Sequence, residues 1–533
     1  MSHPWLPGRL LLSGVLILAL VTAVAGCGGK PAGETPAPQQ PQVAVYADNE
    51  DPVVYWDPAD ACSNEVVVLN EIYETLLKYD PIGDKFEPVL ATDYSRSQDG
   101  LEWTFHLRQG VKFHTGNEMT SEAVKFSVER AVQRGAGVSY IWGPVDQILT
   151  PDAYTVVFKL KYPAALDLIV ASSYGAHIVD PKEVQAHPDD WLSQGHEAGT
   201  GPYMLESWEK GGDYVLTKFP DYWRGWEGKH FDKVVFKGVT DGSTARQMLE
   251  AGQIDFIPSL PPEQIEGLKN NPNTTIVSAP SWKTMVGPMN TKKKPLSNKL
   301  VRQAISYAVP YQEIVNTALQ GYAIQSRGII PMTLWGHADD LFQYTTDLDK
   351  AKELLKKAGY PNGGLKLLLT YPSGADEVRR MAELMKASFA QVGVDLEIRA
   401  MNWEQQWDLA KNPDPNKRQD ILLYNWWPAY ADPYDNFVNM FHTEKDILFN
   451  LSYYSNPQVD ELMDKARETA GIDRAKAVEM YKQAQEIIME EAPQLCLYDA
   501  KSARAMASSL KGYKDNPAYQ GVVFFYNCYR EPK

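Results

Sequence analysis

Cysteine is scarce: the 533-residue chain contains four, too few to frame a fold by disulfides. Positive charge is also in short supply. Lys and Arg number 52 against 68 Asp and Glu, a formal charge of −16. That balance argues against a nucleic-acid partner, whose phosphates require clustered Lys and Arg, and against a basic patch for membrane surfaces. The familiar enzyme motifs are missing: no Gly-x-Ser-x-Gly elbow, no Walker phosphate loop and no His-Glu-x-x-His. Gly199-Thr200-Gly201-Pro202 places Pro where a dinucleotide-binding turn needs free backbone donors. The nine histidines are scattered, and His106 with His114 makes a pair without a third ligand. No carboxylate pair stands out among so many acids, and no repeat of solenoid period is found. These absences leave no positive feature for an enzyme, a metal site or a cofactor. The length exceeds what one hydrophobic core supports, so at least two lobes are expected.

What is present begins at the N-terminus. Leu10 to Ala25 is an uncharged apolar run preceded by Arg9. It has the length of a signal-peptide core and is short for a membrane span. It ends Val24-Ala25-Gly26-Cys27, which resembles a bacterial lipoprotein signal, in which the Cys is acylated and becomes the new N-terminus. Residues 1–26 are therefore expected to be removed, or else to serve as an uncleaved anchor. Residues 27–42, rich in Pro, Gly and Gln, cannot build a core and read as a disordered tether. This arrangement implies a soluble body outside the cytoplasmic membrane, held to it by lipid at Cys27.

The body alternates strand and helix. Leu101, Trp103, Phe105 and Leu107 alternate with polar residues as in a half-buried strand, and Val111–Phe113 reads as a returning hairpin arm. Thr120 opens a helix to about Val132. Helical spacing recurs at Val301/Ala304/Ile305/Ala308, at Ala351/Leu354/Leu355/Ala358 behind Asp347, and at Val459/Leu462/Met463/Ala466 behind Asn456-Pro457. A further helix carries Ala477, Tyr481, Ala484 and Ile488. Between them Leu365–Thr370, Val394–Ile398, Ile421–Tyr424 and Leu495–Tyr498 read as strands, giving α/β lobes with mixed sheets. Cys496 and Cys528 both lie in apolar segments, where export permits a disulfide and buried thiols are the alternative.

An ordered set of segments carries a resemblance. It comprises Trp56-Asp57-Pro58, Glu74-Thr75-Leu76-Leu77, Phe86-Glu87-Pro88-Val89-Leu90-Ala91, Asp99 to Phe105 and Leu107 to Gly116. Gly199 to Tyr203, Pro295 to Ala308 and Trp426 to Phe437, with Asp432-Pro433, follow in order. Together they resemble the extracytoplasmic solute-binding proteins of the peptide/nickel class, solute-binding protein family 5, which feed ABC importers. The resemblance implies an α/β, two-lobed periplasmic-binding-protein-like fold (class II, cluster C) with an extra subdomain inserted in the first lobe. Lobe I would be 43–75, 195–288 and 502–533, the inserted subdomain 76–194, and lobe II 289–501. Such lobes close on a ligand by hinge motion.

The same resemblance supplies candidate ligand contacts. The strip before Asp432-Pro433 would line the cleft, with Trp426, Trp427, Pro428, Ala429 and Tyr430 against the ligand and Asp432 at its end. Because neighbouring residues of a strand face opposite sides, one of the two tryptophans is expected in the core and one in the cleft. Ser63 and Asn64 would face them from lobe I, although Asn64 also suits a helix cap, and Trp282 would reach the cleft from the crossing segment. Trp403 and Trp407, at i and i+4, are read as packing. Peptide binders of the family carry Asp where this chain has Ala429, and dipeptide binders an Arg where the loop Tyr371–Asp376 has none. Both differences point away from a short zwitterion held by its ends, and towards a neutral or polyhydroxy ligand or a longer peptide gripped by its backbone. The implied partners are a peptide or small solute, an ABC permease with its ATPase, and the membrane through Cys27; the implied state is a monomer without nucleic acid, metal or cofactor. An oligosaccharide ligand, or a sensor or chaperone-like peptide binder on the same fold, is the alternative. Nickel ranks low, because the strip offers no His before His442.

Overall fold

The structure is a computed structural model and describes residues 41–48, 55–208, 212–445 and 447–531. The signal segment, Cys27 and the tether up to residue 40 lie outside the described residues. Most helices start where a short polar side chain caps the first turn. Asn298 caps Lys299–Ala308, Asp347 caps Leu348–Lys357, Asn456 caps Pro457–Ala470 and Asp473 caps Arg474–Glu491, each accepting a backbone N–H of the first turn. Ser121–Arg134 follows Thr120, whose hydroxyl makes no capping bond, and ends at Gly135 in the left-handed conformation.

Three sheets of three or more strands, beside two small two-stranded ones, organise the described residues. A three-stranded parallel sheet of Leu365–Pro372, Val394–Met401 and Ile421–Leu422 packs on Asp376–Ala390 through Leu367, Leu369, Met381, Met385, Phe389 and Leu396. A four-stranded antiparallel sheet of Ala91–Arg96, Glu102–Leu107, Val145–Asp152 and Thr155–Leu160 carries Ser121–Arg134. The largest, a nine-stranded mixed sheet, gathers Val43–Asp48, Tyr203–Trp208, Tyr214–Lys218, Lys233–Gly238 and Phe256–Ile257 with two very long strands.

Those two strands, Thr274–Pro288 and Gln494–Ala507, run antiparallel along each other. At one end Ala505 and Met506 also pair with Phe256–Ile257; at the other, Thr284–Val286 pair with Tyr424–Trp426. One continuous ladder thus ties both halves of the molecule. Its register shifts between Pro280 and Thr284, so the ladder bends where Trp282 sits. The strand expected at Leu495–Tyr498 is therefore only one part of a much longer element. Val111–Phe113 forms no hairpin arm: Lys112 makes one isolated bridge, to Glu118. Cys62, Cys496 and Cys528 are free thiols, so Cys496 and Cys528 do not pair.

The Trp56-Asp57-Pro58 segment is pinned from several sides. Trp56 packs against Trp208 and Tyr214, which also pack on each other, and donates its Nε1–H to the His196 carbonyl. Asp57, fully buried, accepts both Nη groups of Arg130, and Arg134 bridges Asp57 and Asp60. Breaking a buried bidentate pair leaves a charge stranded in a poor solvent. Asp57→Ala is expected to destabilise this half by about 3–5 kcal/mol, read as a lowered thermal midpoint; an unchanged midpoint would show that Arg130 is compensated elsewhere.

Candidate functional site

Three segments converge beside the bend in the crossing strands. The first is the loop Ala61–Glu65, which leads into the helix Val66–Ile72. Its N-cap is Glu65, whose Oε1 accepts the N–H groups of Cys62 (2.6 Å) and Ser63 (2.7 Å). The Asn64 carbonyl accepts the Val67 N–H. Ser63 and Asn64 are half-buried, while Glu65 is 0% exposed. Glu65 Oε2 accepts no hydrogen bond. Burial raises the Glu65 carboxyl above its ordinary range, opposed by the backbone N–H groups around it. Burial and the charges of Glu65 and Asp60 push the Cys62 thiol up to about 12, so it stays a protonated thiol at neutral pH.

The second segment is the turn Ser172-Ser173-Tyr174, with Tyr140 nearby. The third is the strip Tyr424–Asp432. Its first residues, Tyr424–Trp426, form the outermost strand of the large sheet; its end caps the helix Pro433–Met440, with Asp432 Oδ1 accepting Tyr434 N–H (2.9 Å). The two tryptophans point apart. Trp426 turns into its own half, donating to Asn436 Oδ1 (2.9 Å) and lying 5.4 Å from the Phe449 ring. Trp427 reaches across, donating to the Tyr174 hydroxyl (2.9 Å), with Lys283 Nζ 6.0 Å from its ring. Both are half-buried, whereas the strand alternation placed one of them wholly in the core.

Pro428, Ala429 and Tyr430 are all buried. The Ala429 backbone is held on both sides: its N–H donates to Asp435 Oδ2 (2.9 Å), and Ser172 Oγ lies 2.9 Å from its carbonyl oxygen. Asp435 Oδ1 accepts from Tyr140 (2.7 Å) and Asn439 (3.2 Å). Burial raises the Asp435 carboxyl to about 7, and the neighbouring Asp432 to about 6. Trp282, at the bend, is buried with an unpartnered Nε1–H. Trp403 is 48% exposed and stacks on Trp407 (5.1 Å), so it packs at the surface, outside any core.

The structure thus brings Trp427 and Ala429 against Tyr174 and Ser172. Burial raises the proton affinity of the Tyr174 hydroxyl, and the nearby charges of Glu65 and Asp435 add to it. Asp432 and Trp426 serve their own half. Sequence reasoning missed Glu65, Tyr140, Ser172, Tyr174 and Asp435. Glu65 adjoined two chosen residues, and Asp435 stands at a first-turn position where any acid suits the helix. Ser172 and Tyr174 carry no local pattern. Of the histidines, His106 pairs with Asp93 and His114 with Glu197 and the Gly201 carbonyl, and no cluster of three metal-ligating side chains occurs among the described residues.

Two α/β halves crossed by paired strands, with half-buried aromatics and stranded polar atoms where they meet, define a binding protein of the periplasmic type. The chain belongs to the bacterial extracellular solute-binding proteins, family 5, whose model matches residues 85–447. It is 32% identical over 482 residues to the probable D,D-dipeptide-binding periplasmic protein DdpA of Escherichia coli K12, covering 89% of this chain and 90% of that one. It is 30% identical over 463 residues to the glutathione-binding protein GsiB of Salmonella typhimurium, covering 86% and 89%. Its fold matches the DppA periplasmic binding protein of Helicobacter pylori in complex with the peptide STSA, with TM-score 0.81, 28% identity and coverage of 92% and 98%. It also matches AgaA of A. tumefaciens R10 in complex with agropinic acid, with TM-score 0.80, 26% identity and coverage of 92% and 99%. The chain is an extracytoplasmic solute-binding protein and not an enzyme.

The raised Asp435 carboxyl has a consequence for stability. The folded protein keeps a proton to about pH 7 that the unfolded chain releases at about pH 3.9. Its contribution to stability therefore grows as pH falls from about 7 to about 4 and is lost as pH rises through that window. Thermal midpoints of wild type and Asp435→Asn, compared at about pH 7.5 and about pH 5, should show the larger gain on acidification in wild type. Equal gains in both would remove Asp435 as the cause.

Proposed function

We propose that this chain is the lipid-anchored substrate-binding component of an ABC importer, tethered at Cys27 and free of nucleic-acid or metal partners. It captures a peptide-like solute between the strip Trp426–Tyr430 and the wall formed by Ser63, Asn64 and Glu65, then delivers it to the permease. Lobe I comprises 43–75, 195–288 and 502–533, the inserted subdomain 76–194, and lobe II 289–501. The bend at Trp282 serves as the hinge.

The observation that carries this reading is a pair of orphaned polar atoms, Glu65 Oε2 on the loop before Val66–Ile72 and Trp282 Nε1 at the bend of the crossing strands. Buried polar groups are nearly always partnered, and a bound solute would partner these. The outermost strand Tyr424–Trp426 further supplies a backbone edge along which an extended ligand can add. The relatives named for a dipeptide, glutathione and the peptide STSA support a peptide-like solute. A second reading, a polyhydroxy or other non-peptide solute, draws on Ala429, on the loop Tyr371–Asp376 without Arg, and on AgaA with agropinic acid.

Mass spectrometry of material released from the denatured purified protein should identify a peptide or peptide-like compound. An oligosaccharide there would favour the second reading. Because Trp427 faces across the cleft, ligand addition should change tryptophan fluorescence, and Trp427→Ala should weaken binding at least tenfold, on the order of 1.4 kcal/mol, while the thermal midpoint stays close to wild type. Undiminished binding by Trp427→Ala would move the site elsewhere.

A further inference from the structure

Resting on the lobe division above, we infer that the turn from Gly471 to Arg474 is a clamp on the inserted subdomain, which holds the two halves together outside the cleft strip whether or not a solute is bound. Three arginines make the contact. Arg474, at the start of the helix Arg474–Glu491, reaches out of lobe II to Asp167 Oδ2 (3.0 Å) and Asp84 Oδ1 (3.4 Å). Arg96 reaches the opposite way and donates to the carbonyl oxygens of Gly471 and, at 3.3 Å, Ile472. Those carbonyls follow the end of Pro457–Ala470, where backbone acceptors lack partners within the helix and a cation is favoured. The Arg467 guanidinium is 4.2 Å from the centre of the Tyr162 ring in the subdomain and 4.4 Å from that of Tyr434 in its own half, and it donates to the Tyr434 hydroxyl (2.7 Å).

Gly471 marks this approach as built in. Its backbone is right-handed helical (φ −61°, ψ −19°), a conformation open to every residue, and at a helix end Ala would serve better. Yet Gly471 is buried, and a Cβ there would lie 2.3 Å from the Ala164 nitrogen and 2.5 Å from the Pro163 carbonyl carbon. Those are backbone atoms of the facing half. What excludes a side chain is therefore the close approach of the subdomain, and the local conformation does not demand glycine. The Arg474 and Asp167 side chains are 26% and 13% exposed, so salt screens this pair less than a pair at the open surface. None of the three arginines belongs to the strip Trp426–Tyr430 or to the wall Ser63–Glu65. A contact of this kind stabilises the closed form by the same amount for every solute. It sets how long the halves stay shut, while the choice of solute is left to the cleft.

The test begins without any solute. Small-angle X-ray scattering of the purified chain, dialysed from denaturant to remove bound solute, compares wild type with Gly471→Ala and Arg474→Gln. Wild type should be the most compact, and both variants should show a larger radius of gyration at unchanged far-UV circular dichroism. Stopped-flow tryptophan fluorescence with Met-Leu, Ser-Thr-Ser-Ala and glutathione then separates the rates. A probe that binds wild type should dissociate about tenfold faster from each variant, with its association rate unchanged. Equal scattering by all three proteins, or equal dissociation rates, would overturn the clamp and leave the solute reading standing. Failure of every probe to bind, with the scattering difference intact, would overturn the peptide reading and leave the clamp standing. If one variant fails to fold, the other decides, since Gly471→Ala acts by bulk alone and Arg474→Gln by charge.

Discussion

The pairing of Thr274–Pro288 with Gln494–Ala507 is the constraint on which the rest of the molecule depends. Two long strands in one antiparallel ladder satisfy each other's backbone groups where the chain crosses between the two halves. At one end they enter a sheet with Val43–Asp48 and Phe256–Ile257; at the other they receive Tyr424–Trp426. The register shift between Pro280 and Thr284 interrupts this connection. It gives the crossing its bend and brings Trp282 next to the segments that converge there.

The contact between the halves is polar in an unusual measure for so buried a place. Tyr140, Ser172 and Tyr174 meet Asp435, Ala429 and Trp427 through hydrogen bonds of 2.7–2.9 Å. A purely apolar seam would close by burial alone and hold its shut form against any solute. On the proposed reading, hydrogen bonds that water can replace on opening would leave the open and closed states close in energy, so that a solute bridging both walls would shift the balance. Burial gives three carboxyls here, Glu65, Asp432 and Asp435, a raised proton affinity. Asp435 is tied to neutral donors alone, and Glu65 is capped by backbone N–H groups without a cation.

Backbone pairing also overrode local preference. Lys501–Ala507 reads Lys-Ser-Ala-Arg-Ala-Met-Ala, composed largely of residues that favour helix, yet it is strand over its whole length. Its partner begins with the β-formers Thr274, Thr275, Ile276 and Val277 and imposes the pairing. Conversely, the helices behind Asp347 and Asn456 were legible because cap and apolar spacing lie within a few residues of one another. The site divides along the same line. Trp427 and Ala429 were marked by their position in a family-like segment. Tyr140 and Tyr174 were not, since what they touch lies more than 250 residues away along the chain.

The sequence by itself determined the class: the alternation of strand and helix, the absence of enzyme chemistry, and a family resemblance that the comparisons bear out. Each of these is encoded in short-range spacing or in ordered motifs. Only the tertiary structure decided which face each tryptophan presents, that Asp435 holds the Ala429 backbone, and that Glu65 stands buried with one oxygen unpartnered. Those facts depend on long-range pairing between the halves, and burial, hydrogen-bond satisfaction and proton affinity are properties of the folded surroundings of a side chain, which its own sequence neighbours do not specify.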